Sequence, residues 1–331
     1  MAFFLFLFSL FNRIGCRIKS ALYAKKILEP KRAPLPVISV GSTSLGGSGK
    51  TPLSLALVSY FHRTGLRPAF ITRGYKGKWE KTGGVLYDGI KSSGSWRESG
   101  DEPFMVSKRI PQAGIFVGKN RFESCIKAKK AGFQIAILDD GFQHLRLHRD
   151  LDIVLFDRDE KIQLRESLSG IKRAHIILVK KHPNSQIPDE KKPFFSHAEV
   201  FGYDVCSEGI FRLEESQPIS LEYFKDKKIL AFCGIARPER FRSLLEKKDI
   251  KLTGFQSFSD HCNYSSSVIK KIQKEIQKTG ARAVITTEKD VHKVSDLPLF
   301  QQIPLYYLRI ELKLNNAFFD LVANSIRERS G

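Results

Sequence analysis

Short, nearly continuous apolar stretches recur along this chain: VISV (37–40), RPAFIT (67–72), GIFV (114–117), FQIAILDD (133–140), LDIVLF (151–156) and HIILV (175–179). Runs of this length and uniformity are the pattern of strands buried on both faces. Helical spacing over about 50–62 and 119–131 falls between them. Alternation of this kind predicts an α/β fold, a doubly wound parallel sheet with helices on both faces. The polar, proline-containing stretch KKHPNSQIPDEKKPFF then interrupts the pattern near 181–196. Two or three short strand-like runs between His197 and Leu213 read as an antiparallel connector. KILAFCGI, LTGFQSF, RAVITT and PLYYLRI follow, with helices near 238–247, 266–278 and 317–327, and predict a second, smaller α/β lobe. The expected organisation is an N-terminal helix (1–29), a nucleotide-binding domain (30–182), a partly β connector (183–218) and a second domain (219–331) closing over the site.

The opening run MAFFLFLFSLF is eleven residues long, whereas a membrane-spanning helix needs about 20. Its positive charges (Arg13, Arg17, Lys19, Lys25, Lys26) come after the apolar stretch, the reverse of a secretory signal. Phe3, Leu7, Phe11, Ile14, Ile18 and Leu22 recur at helical steps opposite Ser9, Arg13, Arg17 and Ser20. That is the pattern of an amphipathic helix lying in a membrane interface, and equally of one packed on the protein itself.

Charge and cysteines narrow the partners. The 331 residues carry a formal charge of +20, which attracts something anionic: nucleic acid, an acidic membrane surface or a phosphorylated small molecule. No recognition-helix motif and no interleaving of aromatic with basic residues supports nucleic acid, so no nucleic-acid partner is expected. Five cysteines without a C-x-x-C pair suggest neither a disulfide framework nor a zinc knuckle, and fit a reducing cytoplasm. The sequence sets no oligomeric state.

SLGGSGKTP (44–52) lies directly between VISV and a helical segment. Strand, glycine-rich loop, helix and a Lys-Thr pair are the parts of a P-loop, although the template G-x-x-x-x-G-K-[ST] has a glycine where this chain has Ser44. Ser44, Leu45, Gly46, Gly47, Ser48 and Gly49 would wrap nucleotide phosphates with backbone N–H groups; Lys50 would reach the outer phosphates and Thr51 would bind Mg²⁺. Such a site also needs an acidic residue at the end of a neighbouring strand. FQIAILDDG supplies Asp139 and Asp140, at the carboxyl edge where α/β sheets bind ligands; an Asp-Gly turn is the plainer reading. His144 and His148 are four apart, but no third zinc ligand accompanies them; a substrate or phosphate contact suits His144 better. ESGDEPFM carries Asp101 and Glu102, and SFSDHCNY carries Asp260 and His261. Each alone could cap a helix or form a turn; together they offer a carboxylate and an imidazole to take a proton from a hydroxyl nucleophile.

In order and spacing, GSTSLGGSGKTP, TRGY (72–75), SGDEP (99–103), LDDGFQH (138–144), AFCGIARPERF (231–241), SDH (259–261) and TTEKD (286–290) closely resemble the tetraacyldisaccharide 4'-kinase family of lipid A biosynthesis. The family's loop also lacks the early glycine. The resemblance implies Mg²⁺-dependent transfer of the γ-phosphoryl group of ATP to the 4'-hydroxyl of a lipid A disaccharide 1-phosphate. It implies work at the cytoplasmic face of the inner membrane, with the N-terminal helix docked peripherally on the anionic surface. By motif position Asp101 and His261 match the catalytic pair, Thr51, Glu102, Asp139 and Asp140 the groups around metal and phosphates, and Gln143 and His144 the substrate-contacting segment. The sequence departs in having Cys262 where a second histidine is usual and Ser42 where an asparagine is usual. A P-loop GTPase or metallochaperone, or a non-catalytic ATP-binding scaffold, is the competing reading. No N-K-x-D guanine motif is present; the nearest string is TEKD.

Overall fold

The structure, a computed structural model, describes residues 22–23, 25–43, 47–156, 168–181, 195–213 and 215–330. Most of the expected N-terminal helix, and loop residues Ser44, Leu45 and Gly46, lie outside the described residues.

The described strands are β1 (Val37–Ser42), β2 (Pro68–Thr72), β3 (Gly84–Tyr87), β4 (Gly114–Val117), β5 (Ile135–Asp139), β6 (Leu151–Phe156), β7 (Ile176–Lys180), β8 (Glu199–Arg212), β9 (Ile229–Cys233), β10 (Leu252–Ser257), β11 (Ala283–Thr287) and β12 (Leu305–Lys313). They join in one sheet, in the order β10-β9-β11-β12-β8-β7-β6-β1-β5-β2-β4-β3. Only β3 with β4 and β8 with β12 pair antiparallel. The helices are α1 (Lys50–Arg63), α2 (Trp79–Thr82), α3 (Trp96–Ser99), α4 (Asp101–Arg109), α5 (Arg121–Lys130), α6 (Pro238–Glu246), α7 (Ser266–Thr279), α8 (Glu288–Val294), α9 (Pro298–Gln302) and α10 (Asn316–Ser330).

Successive strand residues point to opposite faces, and both faces are covered. Ile38, Val40, Ile135 and Ile137 pack with Leu53, Leu57 and Phe61 of α1. Their neighbours Val37, Ala136 and Leu138 pack with Cys125 and Ala128 of α5. The second half repeats this arrangement: Leu230, Phe232 and Val284 face Ile272 of α7 and Val291 of α8, while Ile229, Ala231 and Ile285 face Phe241 and Leu245 of α6. Phe318 and Val322 of α10 return to the core of the first half.

The stretch expected to form several short connector strands is one 14-residue strand, β8. Its first residues pair parallel with β7, ending at Lys180↔Tyr203. The rest pairs antiparallel with β12, from Lys313↔Asp204 to Tyr306↔Arg212. The two neighbours thus occupy successive lengths of one strand, and it needs no break. The strands of the second half therefore run against those of the first. In this register the carboxyl ends of the two sets, the ligand-binding edges of α/β sheets, face each other across the middle of β8.

Candidate active site

The first edge carries the loop and the acidic pair. β1 and β5 are adjacent and parallel, with Val40 opposite Asp139, so the glycine-rich loop and the LDDG turn emerge side by side. Gly47 (φ 62°) and Gly49 (φ 89°) take the left-handed backbone that other residues avoid, and Gly49 caps α1. The Lys50 Nζ lies 3.2 Å from Ser48 Oγ and 3.7 Å from Asp140. Thr51 Oγ1 donates to Asp139 at 3.0 Å, and Ser54 Oγ donates to its other oxygen at 2.9 Å. Burial, then the charges of Glu102 and Asp140, push the Asp139 carboxyl up to about 7. Asp140 follows with φ 54°, a conformation aspartate tolerates better than most residues.

Beyond the turn, Gln143 Nε2 donates to the Ser42 carbonyl at 3.4 Å, while its buried Oε1 has no partner among the described residues. Half-buried His144 sits in the same turn, its N–H donating to Gly141 at 2.8 Å. The Ser39 and Thr43 hydroxyls are also buried without partners among the described residues. Arg121, at the start of α5, is buried beside this cluster. Burial pulls its pKa down to about 10 while Asp140 and Asp139 oppose the shift.

The other chemistry draws on both halves. Asp101 and Glu102 are the first residues of α4, in the first half, where the sequence allowed a helix cap or a turn, while His261 and α8 belong to the second. Pro103 sits in the first turn, where a missing N–H costs nothing. The Asp101 carboxylate is buried and meets His261 Nδ1 with both oxygens at 3.0 Å. His261 follows β10 at φ 59°. Two lysines of α8, one helical turn apart, close around the pair. Lys289 Nζ lies 3.2 Å from His261 Nε2, 3.3 Å from Asp260 and 3.5 Å from Glu102. Lys293 Nζ lies 3.3 Å from Asp101, 2.8 Å from Asp290 and 3.1 Å from the Cys262 carbonyl. Asp290 is fully buried and accepts hydrogen bonds from Gly234 N–H and the Thr287 hydroxyl, each at 2.8 Å.

A lysine ammonium offers only N–H groups. His261 Nε2 therefore accepts, and Nδ1 carries the proton donated to Asp101. Burial alone would raise the Asp101 pKa, but the His261 hydrogen bond and the charges of Lys289 and Lys293 outweigh it, holding the carboxyl well below the usual carboxylate range. Glu102 joins the two edges. It contacts Lys289 on one side, and its charge acts on Asp139 on the other.

Of the residues singled out in the sequence, the structure brings Lys50, Thr51, Asp139 and Asp140 into one cluster, Asp101 and His261 into another, and Glu102 between them. No group of three or more His, Cys, Asp or Glu arranged to hold a metal occurs among the described residues. Sequence reasoning missed Arg121, Lys289 and Lys293. TTEKD contains Lys289, and the four-residue step to Lys293 would have been a signal had the segment been read as a helix.

A glycine-rich loop followed by a Lys-Thr pair, together with a buried carboxylate paired with an imidazole, narrows the chemistry, and comparison with known proteins narrows it further. The family described as Tetraacyldisaccharide-1-P 4'-kinase matches residues 1–327. The chain belongs to this family. Tetraacyldisaccharide 4'-kinase of Desulfotalea psychrophila is 34% identical over 325 residues, covering 92% of this chain and 91% of the relative. Its counterpart in Syntrophus aciditrophicus is 31% identical over 354 residues, covering 99% and 94%. The crystal structure of LpxK from Aquifex aeolicus in complex with ATP superposes with a TM-score of 0.76 at 28% identity, covering 97% of this chain and 98% of that one. The family assignment accords with the ATP-dependent kinase expected from the motifs and does not favour the GTPase or scaffold readings.

Proposed function

We propose that this chain transfers the γ-phosphoryl group of ATP to the 4'-hydroxyl of a tetraacyldisaccharide 1-phosphate, the lipid A disaccharide acceptor, with Asp101 and His261 as the catalytic pair. The observation that carries this reading is the pairing of buried Asp101 with His261, 3.0 Å apart, in a chain whose loop residues Lys50 and Thr51 meet the strand-end carboxylates Asp140 and Asp139.

The residues present fit both ATP and Mg²⁺. Two left-handed glycines open the loop backbone, Lys50 stands at its mouth, and buried Thr43 and Gln143 oxygens await partners. Asp139, pressed toward neutrality by burial and two like charges, is a carboxylate that a cation would relieve. Magnesium is usually held by one or two carboxylates together with phosphate oxygens; Thr51 and Asp139, 3.0 Å apart, with one of Asp140 and Glu102, are the groups that would hold it here. When bound, Mg²⁺ would neutralise charge on the phosphates.

Lys50 then opposes the γ-phosphate charge, and Arg121 adds a buried cation. Asp101 receives the proton of the acceptor hydroxyl, with His261 fixing its orientation. A carboxylate held well below its usual range is a weak base. In a loose phosphoryl-transfer transition state, however, position and charge matter more than base strength. Gln143 and His144 would face the acceptor.

No helix among the described residues is long and apolar enough to cross a membrane. The +20 charge and the amphipathic first segment support peripheral attachment to the anionic cytoplasmic face of the inner membrane. The test uses the full chain with γ-labelled ATP, Mg²⁺ and tetraacyldisaccharide 1-phosphate in mixed micelles. Label is expected on the 4' position. Asp101→Asn should lower the rate about 10²–10⁴-fold while ATP still binds. ATP bound without transfer by the unaltered protein refutes the proposal.

A further inference from the structure

The stretch AFCGIARPERF has no role in the chemistry above, yet it reaches the nucleotide loop. Its β9 end is firmly seated. Gly234 N–H is held by Asp290 at 2.8 Å, and a Cβ on Gly234 would meet Cys262 Cβ at 2.8 Å. Pro238 then starts α6, whose Phe241 and Leu245 are buried in the second half. Arg237 and Arg240, three residues apart, therefore share a face and cross to the first half. Arg240 Nη1 donates to the Gly47 carbonyl at 2.8 Å. The Arg237 side chain lies over Gly47, where an added Cβ would stand 3.2 Å from its Cδ and 3.3 Å from its Cγ.

A phosphate-binding loop turns its N–H groups toward the anion and its carbonyls away. A donor on the Gly47 carbonyl supports the loop from outside. It also polarises the Gly47–Ser48 peptide, which strengthens the Ser48 N–H as a donor. A cation at that carbonyl further favours negative charge inside the loop. The loop's hold on phosphate thus depends in part on a helix of the opposite half.

We propose that Arg240, with Arg237 packed beside it, is a positioning residue that braces the nucleotide loop from the second half and raises its affinity for the triphosphate. This rests on the reading of 44–51 as an ATP site. The experiment compares full-length Arg240→Ala, Arg240→Lys, Arg237→Ala and, as control, Arg242→Ala, whose side chain pairs at the surface with Glu246 at 2.9 Å. Each is assayed below its own melting temperature. The readouts are affinity for a non-hydrolysable ATP analogue, inhibition by adenosine, and KM for ATP with kcat.

Arg240→Ala is expected to weaken the analogue and raise KM for ATP about tenfold, the size of one charge-assisted hydrogen bond, with kcat at saturating ATP within about threefold. Inhibition by adenosine, which has no phosphate, should not change. Arg240→Lys should recover part of the loss, and Arg237→Ala should move affinity the same way by less. An Arg240→Ala protein that binds the analogue as the Arg242→Ala control does, or that loses adenosine equally, overturns the proposal. If the unaltered protein binds no ATP analogue, the nucleotide reading itself falls.

Discussion

Asp139 is the residue at which folding and function conflict most directly. Its carboxyl is raised to about 7 by burial and by the nearby charges of Glu102 and Asp140. A folded-state value above the unfolded one means that this group favours the fold only while protonated. That contribution is complete below the ordinary carboxylate range and lost as pH rises through about 7. Without metal, Asp139→Asn should therefore melt several degrees higher than the unaltered protein at pH 8, and no higher near pH 4; calorimetry at the two values decides it. A metal must displace the same proton. The apparent Mg²⁺ constant in the kinase assay should rise about tenfold between pH 8 and pH 6, following one proton, and a flat dependence would remove Asp139 from the metal's neighbourhood.

Lys293 shows the opposite relation. It lies between two buried carboxylates, Asp101 and Asp290, with its own side chain almost fully covered. Lys293→Met takes from buried Asp290 its ion-pair partner and from Asp101 one of its cations, Lys289 and His261 remaining, and should cost about 3–5 kcal/mol of stability, read by urea unfolding. Adding Asp290→Asn should restore part of it. Lys50, Thr51 and Asp139 were legible in the sequence because a P-loop and a strand-end aspartate have fixed spacing. Lys293 was not, because its role exists only once α8 is wound and α4 lies against it.

At the scale of elements, the strands were the most legible feature. Continuous apolar runs announce burial on both faces, and β1, β2, β4, β5, β6 and β7 fall where those runs lie. Helices α4 and α8 were hidden because each is short and begins with polar, site-forming residues, so neither shows a periodic apolar face. The fit between elements was also invisible from the sequence. Gly41 in β1 passes so close to the turn after Asp140 that a Cβ would stand 2.2 Å from Phe142 Cβ. Gly41→Ala should force β1 and the LDDGFQH turn apart, costing about 3 kcal/mol, at the upper end for overpacking, and lowering kcat by shifting Asp139 relative to Thr51. Because the clash is with a β-carbon, Phe142→Ala should not rescue it. Rescue in a urea titration of the double variant would show that the aromatic ring, not the backbone spacing, sets the limit.

For the whole molecule, one strand decides the geometry. β8 pairs parallel with one half and antiparallel with the other, and this turns two ligand-binding edges toward each other. Strand direction across a connector leaves no mark in hydropathy, so the sequence led to the expectation of a second domain closing over the site but not to the single sheet that brings it there. The proposed acceptor is acylated and would reach these edges from a lipid phase. Leu28 and Ile27, in the turn that follows the N-terminal segment, are 41% and 64% exposed, beside exposed Lys25 and Lys26, so apolar and basic side chains lie together at the surface there. Each large apolar side chain buried in an interface contributes about 1.5–3 kcal/mol, and each basic residue near an anionic leaflet about 1 kcal/mol. Replacing Phe3, Phe4, Leu7 and Phe8 with serine should therefore move the protein from sedimenting with phosphatidylglycerol vesicles to remaining in solution. ATP binding should be unchanged, since the substituted positions are none of the proposed nucleotide-binding residues. High salt should weaken the unaltered protein's attachment without abolishing it, because screening removes only the charge contribution. Co-sedimentation of the serine variant equal to that of the unaltered protein would mean that the basic surface alone holds it, and that the first segment packs elsewhere.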